Sequence, residues 1–186
     1  MKVSVGISNR HVHLNNEDYK ILFGDTVLEK KVDLKQPGNF ASTLTVSIMG
    51  PKGKMDNVRV LGPNRSYTQV EISRTDSFSL GVKPPVRNSG DLEGAELITI
   101  IGPNGSIERP ACIIANRHIH VDKNIREKYG LVEINEVKVQ INSFMSGILD
   151  NVYLKDAEEA YFEIHLDTDD ANAFFLNNND EVEIIL

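Results

Sequence analysis

The chain of 186 residues has a single cysteine, Cys112. No internal disulfide can form, and a reducing compartment suits the chain. No apolar run approaches the roughly 18 residues of a membrane-spanning helix. The opening stretch, MKVSVGIS, carries one lysine and no long apolar segment, so no signal peptide is read there. Excess positive charge is also missing, since the formal net charge is −7 at pH 7. Whole-surface attraction to nucleic acid or to an anionic membrane is therefore not expected. An anionic substrate stays compatible with a local cation cluster or a metal. The sequence has no P-loop, no G-x-G-x-x-G and no G-x-S-x-G, and Cys112 stands in no catalytic signature. Covalent catalysis thus lacks an obvious nucleophile. No low-complexity linker divides the chain.

What is present is an ordinary globular composition, 40% hydrophobic and 25% charged. Burial of that apolar content can offset the chain's conformational entropy. The length suits one medium or two small domains.

The dominant feature is an internal repeat. Ser8-Asn9-Arg10-His11-Val12-His13-Leu14 returns as Ala115-Asn116-Arg117-His118-Ile119-His120-Val121, with four of seven positions identical. Each block leads into a capped helix pattern. Asn15 or Asn16 opens one that closes at Gly24, and Asp122 opens another that closes at Gly130. Further on, Asp56-Asn57-Val58 recurs as Asp150-Asn151-Val152, and the same offset sets Glu71 against His165. A second cap-and-helix pattern follows each: Arg74-Thr75-Asp76 leads to Leu80-Gly81, and Asp167-Thr168-Asp169 leads to Leu176-Asn177. The remainder reads as short strands over 44–49, 57–61, 97–101 and 110–115, joined by Gly/Pro/Asn turns. The expected fold is mainly β: a duplicated unit of short antiparallel strands with two short helices in each half, a pattern that suits small barrels or sandwiches. The halves are expected to pack closely or to exchange strands. Residues 82–90 hold two prolines, which bars a central strand and leaves an ordered connection or an active-site loop.

All five histidines, His11, His13, His118, His120 and His165, fall inside the repeated blocks. On a strand, residues i and i+2 share a face, so each His-x-His aims two imidazoles at one point. Glu71 in one half and His165 in the other supply a third donor. Imidazole and carboxylate suit zinc with three protein ligands and an open position. Two sites follow: His11, His13 and Glu71, and His118, His120 and His165. Whether each set stays within one half or crosses between halves is open in the sequence. The opposing reading makes each His-x-His a pair of hydrogen-bonded surface imidazoles and Glu71 a solvated strand residue. Duplication with the same Asn-Arg prefix favours ligation.

Arg65 lies in Gly62-Pro63-Asn64-Arg65, and spacing alone makes it an exposed turn residue, although arginine binds phosphate bidentately. Arg10 and Arg117 alternate to the face opposite the histidines and are expected to pair with carboxylates such as Asp167 or Asp169. Cys112 shares the histidine parity if its strand runs on to His118, yet reads more simply as core.

A family resemblance rests on NRHVHL, QPG at 36–38, GPNRSYTQVEISRTD at 62–76, PPVRNSGDLEG at 84–94, NRHIHV, DNV and EIHLDTDDAN at 163–172. Together these resemble the PduL-type phosphate propanoyltransferases over nearly the whole chain. The resemblance implies two β-barrels capped by short helices, with a dinuclear zinc site between them and the first strand joined to the C-terminal barrel. The domains would then be 10–115, and 1–9 with 116–186. It implies interconversion of acyl-CoA (propanoyl-CoA or acetyl-CoA) plus phosphate with acyl phosphate plus CoA, as in propanediol degradation, with zinc-bound phosphate as the direct nucleophile. It implies two zinc ions on the six residues already derived. Arg65 becomes the phosphate-binding arginine, and Gln36 and Ser89 line the CoA and acyl pocket. The resemblance implies a homodimer, and a cytoplasmic location is expected because only ten residues precede His11 and a microcompartment-targeting extension would be longer. Asn39 and Lys155 depart from the usual family residues and bear on CoA contacts. Two rival readings use the same ligands: a dizinc ester or thioester hydrolase, and a non-catalytic tandem barrel with structural zinc.

Overall fold

Runs of β-branched residues broken by Gly/Pro/Asn turns fold into fourteen strands and four short helices in the computed structural model, which describes residues 1–157 and 161–186. In chain order these are β1 (Lys2–Ser8), β2 (His11–His13), α1 (Asn16–Phe23), β3 (Lys30–Asp33), β4 (Phe40–Met49), β5 (Lys54–Gly62), β6 (Gln69–Glu71), α2 (Arg74–Leu80), β7 (Val86–Arg87), β8 (Glu96–Ile101) and β9 (Ser106–Ala115). They continue as β10 (His118–Val121), α3 (Lys123–Tyr129), β11 (Glu136–Ile141), β12 (Gly147–Asp156), β13 (Glu163–Asp167), α4 (Thr168–Ala173) and β14 (Glu181–Ile185). The described residues divide into two compact units, Arg10–Ala115 and Met1–Asn9 with Asn116–Leu186. Among them no helix is long and apolar enough to cross a membrane.

Each unit is a closed six-stranded barrel. In the first unit the ring runs β4-β5-β2-β6-β9-β8 and returns to β4, with β3 added beside β4 and β7 beside β9. In the second it runs β1-β13-β10-β12-β11-β14. Aligned on their histidine strands, the two rings share every strand direction. The parallel contacts β2·β5 and β6·β9 of one match β10·β12 and β1·β13 of the other. The first strand, β1, closes the barrel of the C-terminal segment, while its counterpart β9 closes the barrel of residues 10–115.

The parallel contacts depart from a purely antiparallel expectation for a topological reason. Hairpin neighbours such as β4 and β5, β8 and β9, and β11 and β12 pair antiparallel through tight turns. Within the two rings the parallel partners are strands separated by a helix and further strands, or, for β1, a strand brought in from the chain start.

The DNV repeat is a backbone device. Asn57 and Asn151 adopt left-handed φ values of 58° and 55°. Each sits where the ladder to the neighbouring strand shifts register, between Val46 and Ile48 and between Val137 and Val139. These are β-bulges, which bend a strand and raise its twist, as a small barrel needs to close. Asparagine tolerates the left-handed region better than most residues. Alternating inward residues then fill each barrel. Val12, Val46, Ile48, Val58, Val60, Val70, Ile98 and Ile100 line one core; Val3, Val5, Ile119, Val139, Ile141, Val152 and Ile164 line the other.

The helices follow their caps. Asn15, Ser73, Asp122 and Asp167 each accept an N–H from the third residue on, and Ser73 with Asp76 completes a reciprocal capping box. Helix α4 stops at Ala173, short of the expected 176, because Phe175 turns to φ 53° and Leu176 N–H bonds back to Ala171 O.

Candidate metal centres

Register brings the proposed ligands together. Across the antiparallel pair β2·β6, His11 faces Glu71 and His13 faces Gln69. Across β10·β13, His118 faces His165 and His120 faces Glu163. The three donors His11, His13 and Glu71 lie within 4.8 Å of one another, and so do His118, His120 and His165. Each set belongs to one unit, so the choice left open by the sequence resolves to one triad per barrel.

The spacing of the donors fits a bound ion. His118 Nε2 and His120 Nε2 are 3.2 Å apart, and His11 Nε2 stands 3.5 Å from Glu71 Oε2. Ligands of a tetrahedral zinc at about 2.0–2.1 Å are separated by about 3.3 Å. Two imidazoles and a carboxylate, or three imidazoles, are ordinary catalytic zinc donor sets. Burial favours the neutral, ligating form of His120. Desolvation first, then the neighbouring His118 and His165, lower its pKa to about 3. His118 Nδ1 lies 2.8 Å from Asn116 O and donates there, which turns the Nε2 lone pair toward His120.

Behind each triad stands a second layer on the same strand face. In the N-terminal barrel Gln69, fully buried, donates from Nε2 to Glu71 Oε1 at 2.6 Å and to Ser89 Oγ at 2.9 Å, and its Oε1 accepts Gly90 N–H at 2.7 Å. In the C-terminal barrel Tyr161 Oη donates to Glu163 Oε2 at 2.6 Å, and His165 Nε2 lies 2.7 Å from Tyr161 Oη and 3.2 Å from Glu163 Oε2. Burial, then the bond to Glu163, raises the Tyr161 pKa, so the phenol keeps its proton. Gly6 on β1 leaves room for this group: a Cβ there would fall 2.7 Å from Glu163 Oε2.

Most of the arginines pair with carboxylates, while Arg59 donates to the Ser42 and Thr43 carbonyls and Arg74 lies over the Phe78 ring. Arg10 is bidentate to Asp76, Arg109 to Asp18 and Arg117 to Asp170; Arg126 pairs with Asp156 and Arg87 with Asp91. Arg65 meets no carboxylate among the described residues. Its Nη1 donates to Tyr67 Oη at 2.9 Å and to Ser89 Oγ at 3.2 Å. Two hydroxyls aim the guanidinium, and Ser89 Oγ ties it to the Gln69–Glu71 pair. Arg117 takes Asp170, where Asp167 or Asp169 was expected, because the Asp167 carboxylate caps α4 by accepting Asp170 N–H. Arg10 and Asp76 repeat the arrangement on α2.

Ser89 therefore joins the cluster, in the proline-rich segment read as a loop. Gln36 does not: it sits in the turn between β3 and β4, where Asn39 N–H bonds to Gln36 O, and no hydrogen bond ties it to Arg65 or Ser89 among the described residues. The Asn39 side chain donates to Pro37 O in the same turn. Lys155 lies on β12 directly opposite His120. Cys112 is fully buried in the N-terminal core, since β9 ends at Ala115 and β10 begins afresh at His118, so no strand parity carries across. The sequence reading missed Tyr67, Gln69, Tyr161 and Glu163. For Gln69 and Glu163 the signal was available, since 69 and 71, like 163 and 165, alternate onto one strand face; Tyr67 and Tyr161 precede their strands, and no period-2 pattern marks them.

Comparison with known proteins adds an independent line. A family profile described as phosphate propanoyltransferase matches residues 4–177. The chain is 51% identical over 186 residues to a phosphate propanoyltransferase of Thermotoga maritima, covering 98% of this chain and 89% of that protein. It is 45% identical to one of Rhodopseudomonas palustris, covering 98% and 82%, and 41% identical to one of Salmonella typhimurium, covering 95% and 85%.

Proposed function

The chain belongs to the phosphate propanoyltransferase family, and from that premise we propose that it interconverts acyl-CoA plus phosphate with acyl phosphate plus CoA. One zinc ion would be held by His11, His13 and Glu71 and a second by His118, His120 and His165. The observation that carries this reading is Arg65, a guanidinium with no carboxylate partner among the described residues, linked through Ser89 and Gln69 to the proposed ligand Glu71.

Zinc, when bound, supplies Lewis acidity toward phosphate and carbonyl oxygens. Arg65 contributes two parallel N–H donors for phosphate, a geometry lysine does not offer. Tyr67 and Ser89 fix the guanidinium, so less rotamer entropy is lost when the anion binds. A phosphate oxygen attacks the thioester carbonyl, the new C–O bond forms, the C–S bond breaks and CoA leaves as thiolate. No acyl-enzyme is required. Cys112, fully buried with its thiol pushed up to about 12, is poorly suited to carry an acyl group.

CoA release from propanoyl-CoA, followed with and without phosphate and before and after chelation, tests the proposal. A transferase releases CoA only when phosphate and metal are both present. A hydrolase releases it in phosphate-free buffer, and a structural zinc protein unfolds on chelation with no turnover at any stage. Metal analysis giving no zinc, or turnover undiminished by chelation, overturns the metal assignment. Light scattering tests the homodimer that the family resemblance implies.

A further inference from the structure

Superposing the repeats by register exposes a double exchange. Where the first barrel has Gln69 and the ligand Glu71, the second has Glu163 and the ligand His165. Both barrels set a His-x-His pair and one carboxylate at their centre, but the carboxylate moves by two residues along the strand, and a third histidine takes its place in the second. In the first the carboxylate is the ligand and an amide stands behind it. In the second an imidazole is the ligand and the carboxylate stands behind.

We infer that positions 69 and 163 are paired positioning residues, each matched to the metal ligand two residues on. The inference rests on the metal centres of the proposed function. Gln69 must donate to Glu71, and its orientation is fixed because Gly90 N–H occupies its carbonyl. The amide holds Glu71 Oε1 at 2.6 Å, while Oε2 is turned to His11 Nε2 at 3.5 Å. A carboxylate at 69 would have no proton for Glu71 and would repel it across the same gap. Glu163 has the opposite task. It accepts from Tyr161 and lies 3.2 Å from His165 Nε2; with Nδ1 left for the ion, it supplies the negative charge that orients a histidine ligand and raises its basicity. Each barrel thereby gives a divalent ion one negative charge, directly in one case and through an imidazole in the other. Ser89 and Arg65 hang from Gln69, so the same amide also sets the anion-binding group relative to the ligand.

Cobalt(II) binding to the full chain tests this, read by equivalents retained against a competing chelator and by the visible d–d spectrum. The wild type should hold two equivalents. Gln69→Glu should weaken one of them about tenfold or more, the usual scale for an outer-sphere partner. Glu71→His alone should do the same, because a third histidine without its carboxylate is poorly held. The double variant Gln69→Glu/Glu71→His transplants the second barrel's pattern into the first. It should regain the second equivalent, with a spectrum that now shows two centres alike. Glu163→Gln should weaken the other equivalent and spare the first. It reads the same rule in a separate unit, so misfolding of one set, detected by circular dichroism, leaves the other decisive. Equal cobalt affinity in Glu71→His with and without Gln69→Glu, together with an unchanged Glu163→Gln, overturns the pairing and leaves the metal centres standing. A wild type that binds no cobalt overturns both.

Discussion

His118 stands directly opposite His165 on antiparallel strands, 47 residues away in the chain, in the register that sets His11 opposite Glu71. Backbone pairing brings the third donor of each candidate triad to its histidine pair. Neither Glu71 nor His165 is near its histidine pair in sequence, and a shift of one residue in either ladder would turn the donor to the other face of the strand.

Arg65→Ala should raise the phosphate KM by about 10–100-fold, the range expected for losing charged hydrogen bonds to an anion. Zinc content should not change, because Arg65 touches no ligand directly. Initial rates across phosphate concentration, with metal analysis of the same preparation, check both halves. An unaltered KM removes Arg65 from the phosphate site.

Gly6→Ala should weaken metal binding in the C-terminal barrel and leave the other centre intact. The added methyl would fall 2.7 Å from Glu163 Oε2 and 3.1 Å from His165 Cδ2, and Glu163 is buried and tied to Tyr161. Overpacking of this kind costs about 1–3 kcal/mol in stability. Zinc stoichiometry under a competing chelator is the measurement.

Arg10→Ala should destabilise the N-terminal barrel by about 2 kcal/mol, since Asp76 is 5% exposed and would lose its bidentate partner. The value sits below that of a fully buried pair because Arg10 is partly in solvent. Urea unfolding in the presence of chelator separates this effect from any metal contribution.

Cys112 sets an alkaline limit. Burial, then the charges of Glu96 and Asp76, raise its thiol from 9.0 to about 12. Above pH 9 the unfolded chain gives up a proton that the fold retains, so this contribution is complete below pH 9 and is lost as pH rises toward 12. Cys112→Ala should flatten the fall in melting temperature over that range. A thiol reagent at pH 8 should label the native protein negligibly and the denatured protein once.

Much of this organisation is local and was therefore legible in the residues. The duplicated His-x-His blocks, the caps at Asn15, Asp122 and Asp167, and the Gly24, Gly81 and Gly130 helix ends are decided by neighbours a few positions apart, whereas the Ser73 cap lay one residue before the expected helix start. Period-2 alternation was enough to point the paired imidazoles the same way. The DNV repeat was legible as a correspondence, but its role as a bulge depends on which strand lies alongside.

The sequence by itself determined that the chain is doubled, that it is mostly β, and that its histidines converge in pairs. Tertiary structure alone decided that each donor triad closes within one barrel, that β1 and β9 trade places relative to their own repeats, and that Gln69 and Glu163 stand beside Glu71 and His165. The reason is the range of the forces involved. Alternation and capping act over a few residues, whereas strand order, register and the partner of a buried polar group are settled by ladders and packing between segments far apart in the chain.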